Sequence, residues 1–332
     1  MVESALWSGA GGTGDLVTAE CMDITVLAGG PGVEREVSLE SGRAVHAALA
    51  RQGHRVSLCD VSPDELSALR RPADFVFIAL HGEFGEDGTV QRLLDDLGVP
   101  YCGSGAAASA LAFDKLRSKE IFARNGLPTP EFRSVQRGTP RAEWGDLPLP
   151  CMVKPVASGS SVDVIRADTH DEAAAAIDRV LAHTGRALIE RYVQGVELTV
   201  GILGDQALPV IEIRTRRPFY DYQAKYVDDD TQYLFDIDLP AELSAHVQAL
   251  SLRAHRHLGC RAFSRADWLV DRRTFQPYLL EINTIPGFTG HSLLPKAAAR
   301  VGIDFDTLCV KIVELSLSER SPVRVLSMAP VG

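Results

Sequence analysis

The chain has 332 residues, of which 45% are hydrophobic and 23% charged. This ordinary globular composition has room for two or three domains and excludes disordered, collagen-like and coiled-coil chains. With 34 basic and 44 acidic residues the net charge is −10, which disfavours binding to nucleic acid. No apolar run is long enough to span a membrane. From the charge and from the lack of such a run, respectively, we expect neither a nucleic-acid nor a membrane partner. The six scattered cysteines match neither a disulfide framework nor a zinc site.

Residues 1–22 are predicted to form a loose extension before the fold. They contain three carboxylates, no lysine or arginine, and no apolar segment of the signal-peptide kind. Residues 9–14 match the dinucleotide-binding pattern G-x-G-x-x-G, but that site needs a strand before the glycines, and here the first strand comes afterwards. We therefore expect no dinucleotide site, and we expect a cytoplasmic protein.

The first part of the regular fold alternates short strands with helices. Strands are predicted at residues 23–29, 54–59 and 74–80, and helices at residues 37–50 and 88–98; this pattern ends near residue 114, just before a basic helical stretch at residues 115–125. Such alternation is typical of βαβ units with a parallel sheet covered on both faces. The first domain is therefore predicted to be α/β.

Beyond residue 126 the pattern changes to runs of strands with helices set to one side. Strands are predicted at residues 150–155, 187–192, 196–203, 208–213, 261–270 and 276–283, and helices at 171–183, 241–258, 292–300 and 304–318. This order indicates α+β architecture. Cys151 lies within an apolar strand, which favours a buried structural thiol over a nucleophile.

Two strands near the C-terminus carry polar side chains on one face. Arg265 and Asp267 alternate on the first strand, and Glu281 and Asn283 on the second. Residues 271–276 between them suit a hairpin. If the hairpin closes, two carboxylates and an amide oxygen converge beside a guanidinium, and such oxygen ligands suit Mg²⁺. The alternative is a solvated sheet face bearing an ion pair.

Three weaker signals suggest phosphate and nucleotide binding. The Gly/Ser-rich residues 157–162 follow a strand that ends with Lys154, and small residues let backbone N–H groups approach an anion. Lys115 and Lys119 share one helix face. Glu190 lies at a strand end that can present a carboxylate to a base or ribose. Taken singly, these are an ordinary turn, a solvated helix surface and an ordinary strand end.

The order of these features is specific even though each is weak. The sequence resembles the ATP-grasp ligases, and within them the D-alanine–D-alanine ligase family, from about residue 24 to residue 317. The resemblance is carried by residues 29–38, 80–88, 101–105, 114–119, 159–161, 219–226 and 281–293.

The resemblance implies an N-terminal parallel-sheet (pre-ATP-grasp) domain followed by a two-subdomain ATP-grasp fold. The implied division is an extension at 1–22, a substrate domain at 23–118, a central subdomain with the Gly/Ser loop at 119–207, a C-terminal subdomain with the metal site at 208–320, and a tail at 321–332.

The resemblance also implies the reaction, the cofactors and the assembly. ATP would activate the carboxylate of one D-alanine as an acyl phosphate, and the amine of a second D-alanine would displace phosphate to give D-alanyl-D-alanine for peptidoglycan. The implied cofactors are ATP and two Mg²⁺, with Mn²⁺ as a substitute. The implied assembly is a homodimer.

The site residues follow from the resemblance, position by position. They are Glu34, Ser160, Tyr226, Arg265 and Gly287 for catalysis; His81, Ser292 and Leu293 for substrate binding; Lys115, Lys154, Glu190, Tyr192, Val193, Glu197 and Lys225 for ATP; and Asp267, Glu281 and Asn283 for metal.

Several of these residues are assigned particular roles by the resemblance. Glu34 would hold the first substrate's ammonium and, with Ser160 and Tyr226, close the Gly/Ser loop and exclude water. Arg265 and the N–H of Gly287 would meet the developing oxyanion.

Ser292 and the N–H of Leu293 would bind the second substrate's carboxylate at a helix N-terminus. Two simpler interpretations remain open: Glu34 as a cap of the helix that follows it, and His81 as a loop histidine satisfied by its neighbours.

Three positions depart from the family pattern. Asp163 stands where glycine is general, and its carboxylate would repel phosphates unless it points away or faces Mg²⁺. A positive φ there would also be strained for aspartate. Ile285 and Phe288, on either side of Pro286 and Gly287, differ from the commoner residues and are expected to reshape the second-substrate pocket.

Other functions are weighed against the ligase. The Tyr226 run disfavours a ligase that makes D-alanyl-D-lactate, whereas D-serine as second substrate stays open. Intact Arg265, Asp267, Glu281 and Asn283 disfavour a non-catalytic ATP-binding module, which needs no arginine for a transition state.

Overall fold

The N-terminal domain is built on a three-stranded parallel sheet. The computed structural model describes residues 21–160, 162–217, 230–290 and 292–319. Strands β1 (Asp23–Gly29), β2 (Arg55–Val61) and β3 (Phe75–Ile78) pair in the order β2-β1-β3. Helix α1 (Arg35–Arg51) connects β1 to β2, and α2 (Thr89–Leu97) follows β3. The predicted α/β character of this domain is confirmed.

Four sequence predictions fall on residues that the structure does not describe. They are the G-x-G-x-x-G pattern at 9–14, most of the extension at 1–22, the pair Lys225 and Tyr226, and the tail at 321–332.

A four-stranded antiparallel sheet forms the middle of the chain. Helices α3 (Ala106–Phe113) and α4 (Lys115–Arg124) lead into it, and α5 (His170–Thr184) packs on its face. Its strands are β4 (Phe132–Gln136), β5 (Cys151–Pro155), β6 (Ile165–Ala167) and β7 (Arg186–Arg191), in the order β4-β7-β5-β6. Thr169 and Glu172 form a capping box that fixes the start of α5. Cys151 is fully buried, as predicted.

A six-stranded antiparallel sheet forms the rest of the fold. Its strands are β8 (Gly195–Leu203), β9 (Gln206–Ala207), β10 (Ile211–Arg214), β11 (Gln232–Leu234), β12 (Phe263–Asp271) and β13 (Pro277–Asn283), in the order β11-β10-β8-β12-β13 with β9 beside β8. Helices α6 (Ala241–His257), α7 (Leu293–Arg300) and α8 (Phe305–Ser318) accompany it. The division proposed between residues 207 and 208 falls within this sheet, because β8 and β9 precede it; the domain limits stay a prediction.

One apolar core joins the N-terminal sheet to the last two helices. Phe288 lies at its centre, with its ring 5.7 Å from Phe77, 5.9 Å from Phe263 and 5.7 Å from Phe305. The N-terminal and C-terminal parts are therefore packed together around this side chain. Among the described residues, no helix is both long and apolar enough to cross a membrane.

Candidate functional site

A cleft of about 850 Å³ lies where the three sheets meet. Every site residue predicted from the sequence that the structure describes lines this cleft. They are Glu34, His81, Lys115, Lys154, Ser160, Glu190, Tyr192, Val193, Glu197, Arg265, Asp267, Glu281, Asn283, Gly287, Ser292 and Leu293. Ile285 also lines it, whereas Phe288 is in the core and does not.

The predicted hairpin of β12 and β13 closes in the expected register. Arg265 lies opposite Asn283, and Asp267 lies opposite Glu281. The ladder is irregular immediately after Asp267, where a bulge interrupts the pairing. The two carboxylates and the amide therefore share one face of the hairpin, at the wall of the cleft.

The Asp267 carboxylate is held by three side chains. Arg265 donates to both of its oxygens, from Nε at 2.8 Å and from Nη2 at 2.7 Å. Thr199 Oγ1 donates to Oδ1 at 2.7 Å, and Asn283 Nδ2 donates to Oδ2 at 2.8 Å. The Arg265 and Asp267 side chains are each only 12% exposed. The ion pair of the alternative interpretation is therefore present, but it is largely buried rather than on a solvated sheet face.

The hairpin offers only oxygen ligands to a metal ion. Asp267 and Glu281 supply carboxylates, and Asn283 turns its amide nitrogen toward Asp267, which leaves its carbonyl oxygen as the remaining acceptor. Hard cations such as Mg²⁺ and Mn²⁺ take sets made of such ligands, whereas zinc and copper sites characteristically include histidine nitrogen or cysteine sulfur. The residue types present therefore fit the cation that the resemblance implies.

Lys115 connects the hairpin with the Gly/Ser loop. Its Nζ donates to the carbonyl oxygen of Ser158 at 2.8 Å and lies 3.1 Å from Glu281 Oε2. Lys115 is the first residue of α4, whose N-terminus is capped by the Asp114 side chain. The ammonium thus reaches both the loop and the predicted metal ligands.

A buried ionic cluster lies at the nucleotide end of the cleft. Glu190 Oε1 is 3.1 Å from Lys119 Nζ and 2.9 Å from Lys154 Nζ, and Lys119 also donates to Thr129 Oγ1 at 2.7 Å. Lys119 is 0% exposed and Glu190 2% exposed. The interpretation of Lys119 as solvated helix surface is therefore wrong. The sequence singled out Lys119 only for its spacing from Lys115, which gives no sign that this residue is buried against Glu190.

The ionic cluster shifts the pKa values of its members. Burial lowers the pKa of Lys119 to about 8, although the Glu190 carboxylate opposes that change. Burial alone would raise the pKa of Glu190, but the two ammonium groups outweigh it, so its pKa lies below the usual value. Glu190 is therefore ionised at neutral pH.

We expect Lys119 to make folding stability increase between pH 8 and pH 10.5. In this range the unfolded chain, with the ordinary lysine pKa of 10.5, holds a proton that the folded protein has lost, so the free energy of unfolding rises with pH. The gain over the full range is roughly 3 kcal/mol. Urea unfolding of the wild type and of Lys119→Met at pH 8, 9 and 10 measures this gain. The free energy of unfolding of the wild type minus that of the variant should increase with pH. A difference that stays constant with pH would contradict the assigned titration.

Glu34 reaches across the cleft to the Gly/Ser loop. It precedes α1, but its side chain makes no capping hydrogen bond to that helix. Its carboxylate accepts a hydrogen bond from Ser160 Oγ instead. An added Cβ at Gly82 or Gly159 would lie 2.5 Å or 2.4 Å from Glu34 Oε2, so the carboxylate packs closely against both glycines. The structure therefore favours the loop contact over the helix cap.

His81 is bonded to protein through both ring nitrogens. Nδ1 faces the carbonyl oxygen of Ile285 at 3.2 Å and so carries the proton, and Nε2 then accepts from Ser41 Oγ at 3.2 Å. Ser41 Oγ accepts in turn from the N–H of Phe288 at 3.3 Å. His81 thus fits the alternative of a satisfied loop histidine, and it anchors the loop that carries Gly287. Its role in substrate binding stays a prediction.

The loop after β13 presents a turn and a helix N-terminus to the cleft. Ser292 precedes α7 and makes no side-chain cap, and its Oγ accepts from the N–H of Thr289 at 3.0 Å. A Cβ on Gly287 would lie 3.0 Å from Ser292 Oγ, so the backbone approaches closely there. The first N–H groups of α7, from Leu293 onward, belong to the helix end that lines the cleft.

Asp163 points away from the cleft. Its φ is 55°, in the left-handed region that favours glycine. Its carboxylate is hydrogen-bonded to His183 and Arg179 of α5. These two hydrogen bonds, that with His183 foremost, lower the pKa of Asp163. The repulsion considered from the sequence is therefore avoided by orientation.

Family models match both parts of the chain. The model described as D-ala D-ala ligase C-terminus matches residues 121–314, and the one described as D-ala D-ala ligase N-terminus matches residues 60–104.

Individual proteins are similar over almost the whole chain. The D-alanine–D-alanine ligase of Aromatoleum aromaticum is 47% identical over 305 residues, which cover 91% of this chain and 98% of the relative. The crystal structure of the D-alanine–D-alanine ligase from Bacillus anthracis has a TM-score of 0.79 and 36% identity, covering 90% and 99%. The VanG D-Ala:D-Ser ligase from Enterococcus faecalis has a TM-score of 0.80 and 26% identity, covering 90% and 100%.

The parallel-sheet domain followed by two antiparallel sheets around one cleft defines an ATP-grasp ligase. With matches to both family models and relatives above 40% identity over nine-tenths of its length, the chain belongs to the D-alanine–D-alanine ligase family.

Proposed function

We propose that this chain joins two molecules of D-alanine into D-alanyl-D-alanine, using ATP and supplying a precursor of peptidoglycan. The observation that carries this proposal is one cleft that contains Arg265, the Glu34–Ser160 contact, the Lys154–Glu190 ion pair and the carboxylates of the hairpin. Family membership adds the substrates.

The first step forms an acyl phosphate. An oxygen of the first D-alanine's carboxylate attacks the γ-phosphorus of ATP, and ADP leaves. The ammonium groups of Lys115 and Lys154 line the cleft and offset phosphate charge, a role that we also assign to Lys225. Glu190, Tyr192, Val193 and Glu197 frame the adenine and ribose.

The hairpin is the proposed metal site. Asp267, Glu281 and Asn283 would hold two Mg²⁺ ions, or Mn²⁺, through oxygen atoms. When bound, such ions neutralise and orient phosphate oxygens.

The second step passes through a tetrahedral intermediate. The amine of the second D-alanine attacks the acyl carbon, and negative charge develops on the carbonyl oxygen. The nitrogen loses a proton, the bond from the acyl carbon to the phosphate oxygen breaks, and phosphate leaves. Arg265 is oriented for this charge because Asp267 fixes its guanidinium through two hydrogen bonds. The N–H of Gly287 is the second proposed donor.

The ends of the two substrates are recognised by opposite charges. The Glu34 carboxylate pairs with the first ammonium, and His81 lies nearby. Ser292 and the N–H of Leu293 receive the second carboxylate, because a helix N-terminus favours an anion. Contact between Glu34 and Ser160, which we extend to Tyr226, closes the Gly/Ser loop and excludes water.

The test is a reaction of the full chain with ATP, Mg²⁺ and D-alanine, in which phosphate is measured and the product is identified by mass. Parallel reactions replace the second substrate with D-serine or D-lactate, and Arg265→Ala is the control. D-alanyl-D-alanine formed with stoichiometric phosphate, and lost in the control, is the expected result. A product with D-serine or D-lactate alone would change the substrate, and ATP binding without turnover would overturn the ligase.

We also propose a homodimer in the cytoplasm. Sedimentation equilibrium of the purified chain tests the assembly, and fractionation of cells that express it tests the location.

A further inference from the structure

The loop between β5 and β6 is held at two separate points. Ser160 donates a hydrogen bond to Glu34 of the N-terminal domain. Asp163, three residues further on, is bonded to α5 of its own subdomain: Oδ1 accepts from Arg179 Nη2 at 3.0 Å, and Oδ2 lies 2.9 Å from His183 Nδ1. We call Asp163, Arg179 and His183 the α5 clamp.

The α5 clamp is attached to a rigid support. Arg179 and His183 are four residues apart, so they project from one face of the helix. That helix packs on β5, β6 and β7, and its N-terminus is fixed by the Thr169 capping box. The loop is therefore tied to the sheet that carries Lys154, in addition to its contact across the cleft.

The backbone of the loop has an unfavourable conformation at both of these points. Ser160 and Asp163 have φ angles of 48° and 55°, which residues other than glycine rarely adopt. Val162 and Val164, on either side of Asp163, line the cleft, whereas Asp163 does not. The outward turn of the Asp163 side chain thus accompanies the inward orientation of its two neighbours.

The charges around Asp163 match this arrangement. The charged or titratable groups that face its carboxylate in the described residues are Arg179 and His183, both from α5. The Asp163 side chain is 15% exposed, and the two partners are more than half exposed. The Asp163 carboxylate is therefore largely shielded from solvent, and it contacts both partners at once.

We propose that Asp163 is a positioning residue, which acts through the α5 clamp to hold the Gly/Ser loop over the acyl phosphate and exclude water. This inference rests on the proposed ligase function, since it concerns the same loop. Asp163 touches neither substrate nor nucleotide in this role; it determines how the loop covers them.

A loosened loop has a measurable chemical consequence. If water reaches the acyl phosphate, its oxygen attacks the acyl carbon, the bond from that carbon to the phosphate oxygen breaks, and phosphate leaves with free D-alanine. ATP is then hydrolysed to ADP and phosphate without formation of dipeptide. The ratio of phosphate released to dipeptide formed therefore reports loop closure, and a merely structural residue would not change it.

Asp163→Asn in the full chain is the principal test. Asparagine tolerates a positive φ, so the backbone is preserved while the charge is removed. We expect the ratio of phosphate to dipeptide, near one in the wild type, to rise about threefold to tenfold, with a similar rise in the KM for ATP. His183→Gln, which leaves the loop sequence intact, should act in the same direction. The two changes together should be less than additive.

Asp178→Asn is the matched control. Asp178 also lies on α5 and forms an exposed ion pair with Arg141, away from the loop. Its ratio is expected to equal that of the wild type. If Asp163→Asn lowers the melting temperature by many degrees, His183→Gln carries the test.

The inference is overturned if folded Asp163→Asn and His183→Gln both keep the wild-type ratio and KM. It is also overturned if the two changes are fully additive, because they would then act separately. Failure of the proposed function itself is recognised independently, since the wild type would form no dipeptide in the same assay.

Discussion

Replacing Arg265 with alanine is expected to lower kcat by about 10²- to 10³-fold, the range found when a donor to a developing oxyanion is removed. Arg265 is fixed in place by both oxygens of Asp267, so its guanidinium needs little reorganisation when charge develops. The KM for ATP should change much less, because the same arginine is not assigned to the nucleotide. Steady-state formation of dipeptide, measured against D-alanine and ATP separately, gives both parameters.

Arg265→Lys is the control for charge alone. Lysine keeps the positive charge but cannot donate two parallel hydrogen bonds to Asp267, so most of the loss should remain. If Arg265→Ala keeps kcat within about tenfold of the wild type, the oxyanion role is wrong. A large rise in KM at unchanged kcat would instead assign Arg265 to ground-state binding.

The part of the site that could be predicted from the sequence without the resemblance is the β12–β13 hairpin, whose residues are close together in the chain. Arg265 and Asp267 face Asn283 and Glu281 because a short connection allows only a hairpin, and the alternation of a strand then decides which side chains share a face. Register and convergence follow from spacing over fewer than about twenty residues, a range in which the periodicity of a strand is reliable.

Contacts between distant segments came from the resemblance alone. Glu34 and Ser160 are 126 residues apart, and no periodicity relates them. Without the resemblance, Glu34 is equally well interpreted as a residue that caps α1. The hydrogen bond to Ser160, with two glycines close around the carboxylate, distinguishes these interpretations only in three dimensions.

The sequence did not predict the burial of Lys119 or the existence of the shortest strands, and both failures have a physical reason. Lys119 lies on a helix of mixed composition, and it is completely buried beside the Glu190 carboxylate of β7, which compensates its charge. The three-residue strands β6 and β11 are shorter than the length over which alternation becomes visible. The direction of Asp163 depended likewise on α5, a partner that local sequence does not reveal.

Replacing Glu190 with alanine is expected to destabilise the fold by about 3–5 kcal/mol, the cost of breaking a buried ion pair by removing one member. Lys119 is fully buried and, among the residues that the structure describes, would keep Thr129 as its hydrogen-bond acceptor. Loss of its proton limits the penalty, since deprotonating an ordinary lysine at pH 7 costs roughly 5 kcal/mol. Urea unfolding at pH 7 measures the effect. Glu190→Gln should cost less, because an amide oxygen still accepts from an ammonium.

The double variant Glu190→Ala/Lys119→Met decides whether the uncompensated charge is the cause. Removing the buried ammonium as well should recover part of the lost stability, because an apolar side chain needs no counter-charge. Glu120→Ala, which breaks an exposed pair with Arg124 on the same helix, should stay within about 0.5 kcal/mol of the wild type. If the double variant is no more stable than Glu190→Ala, lost packing rather than charge holds this end of the cleft together. Recovery would instead mean that the carboxylate assigned to the nucleotide also stabilises the joint between α4, β5 and β7.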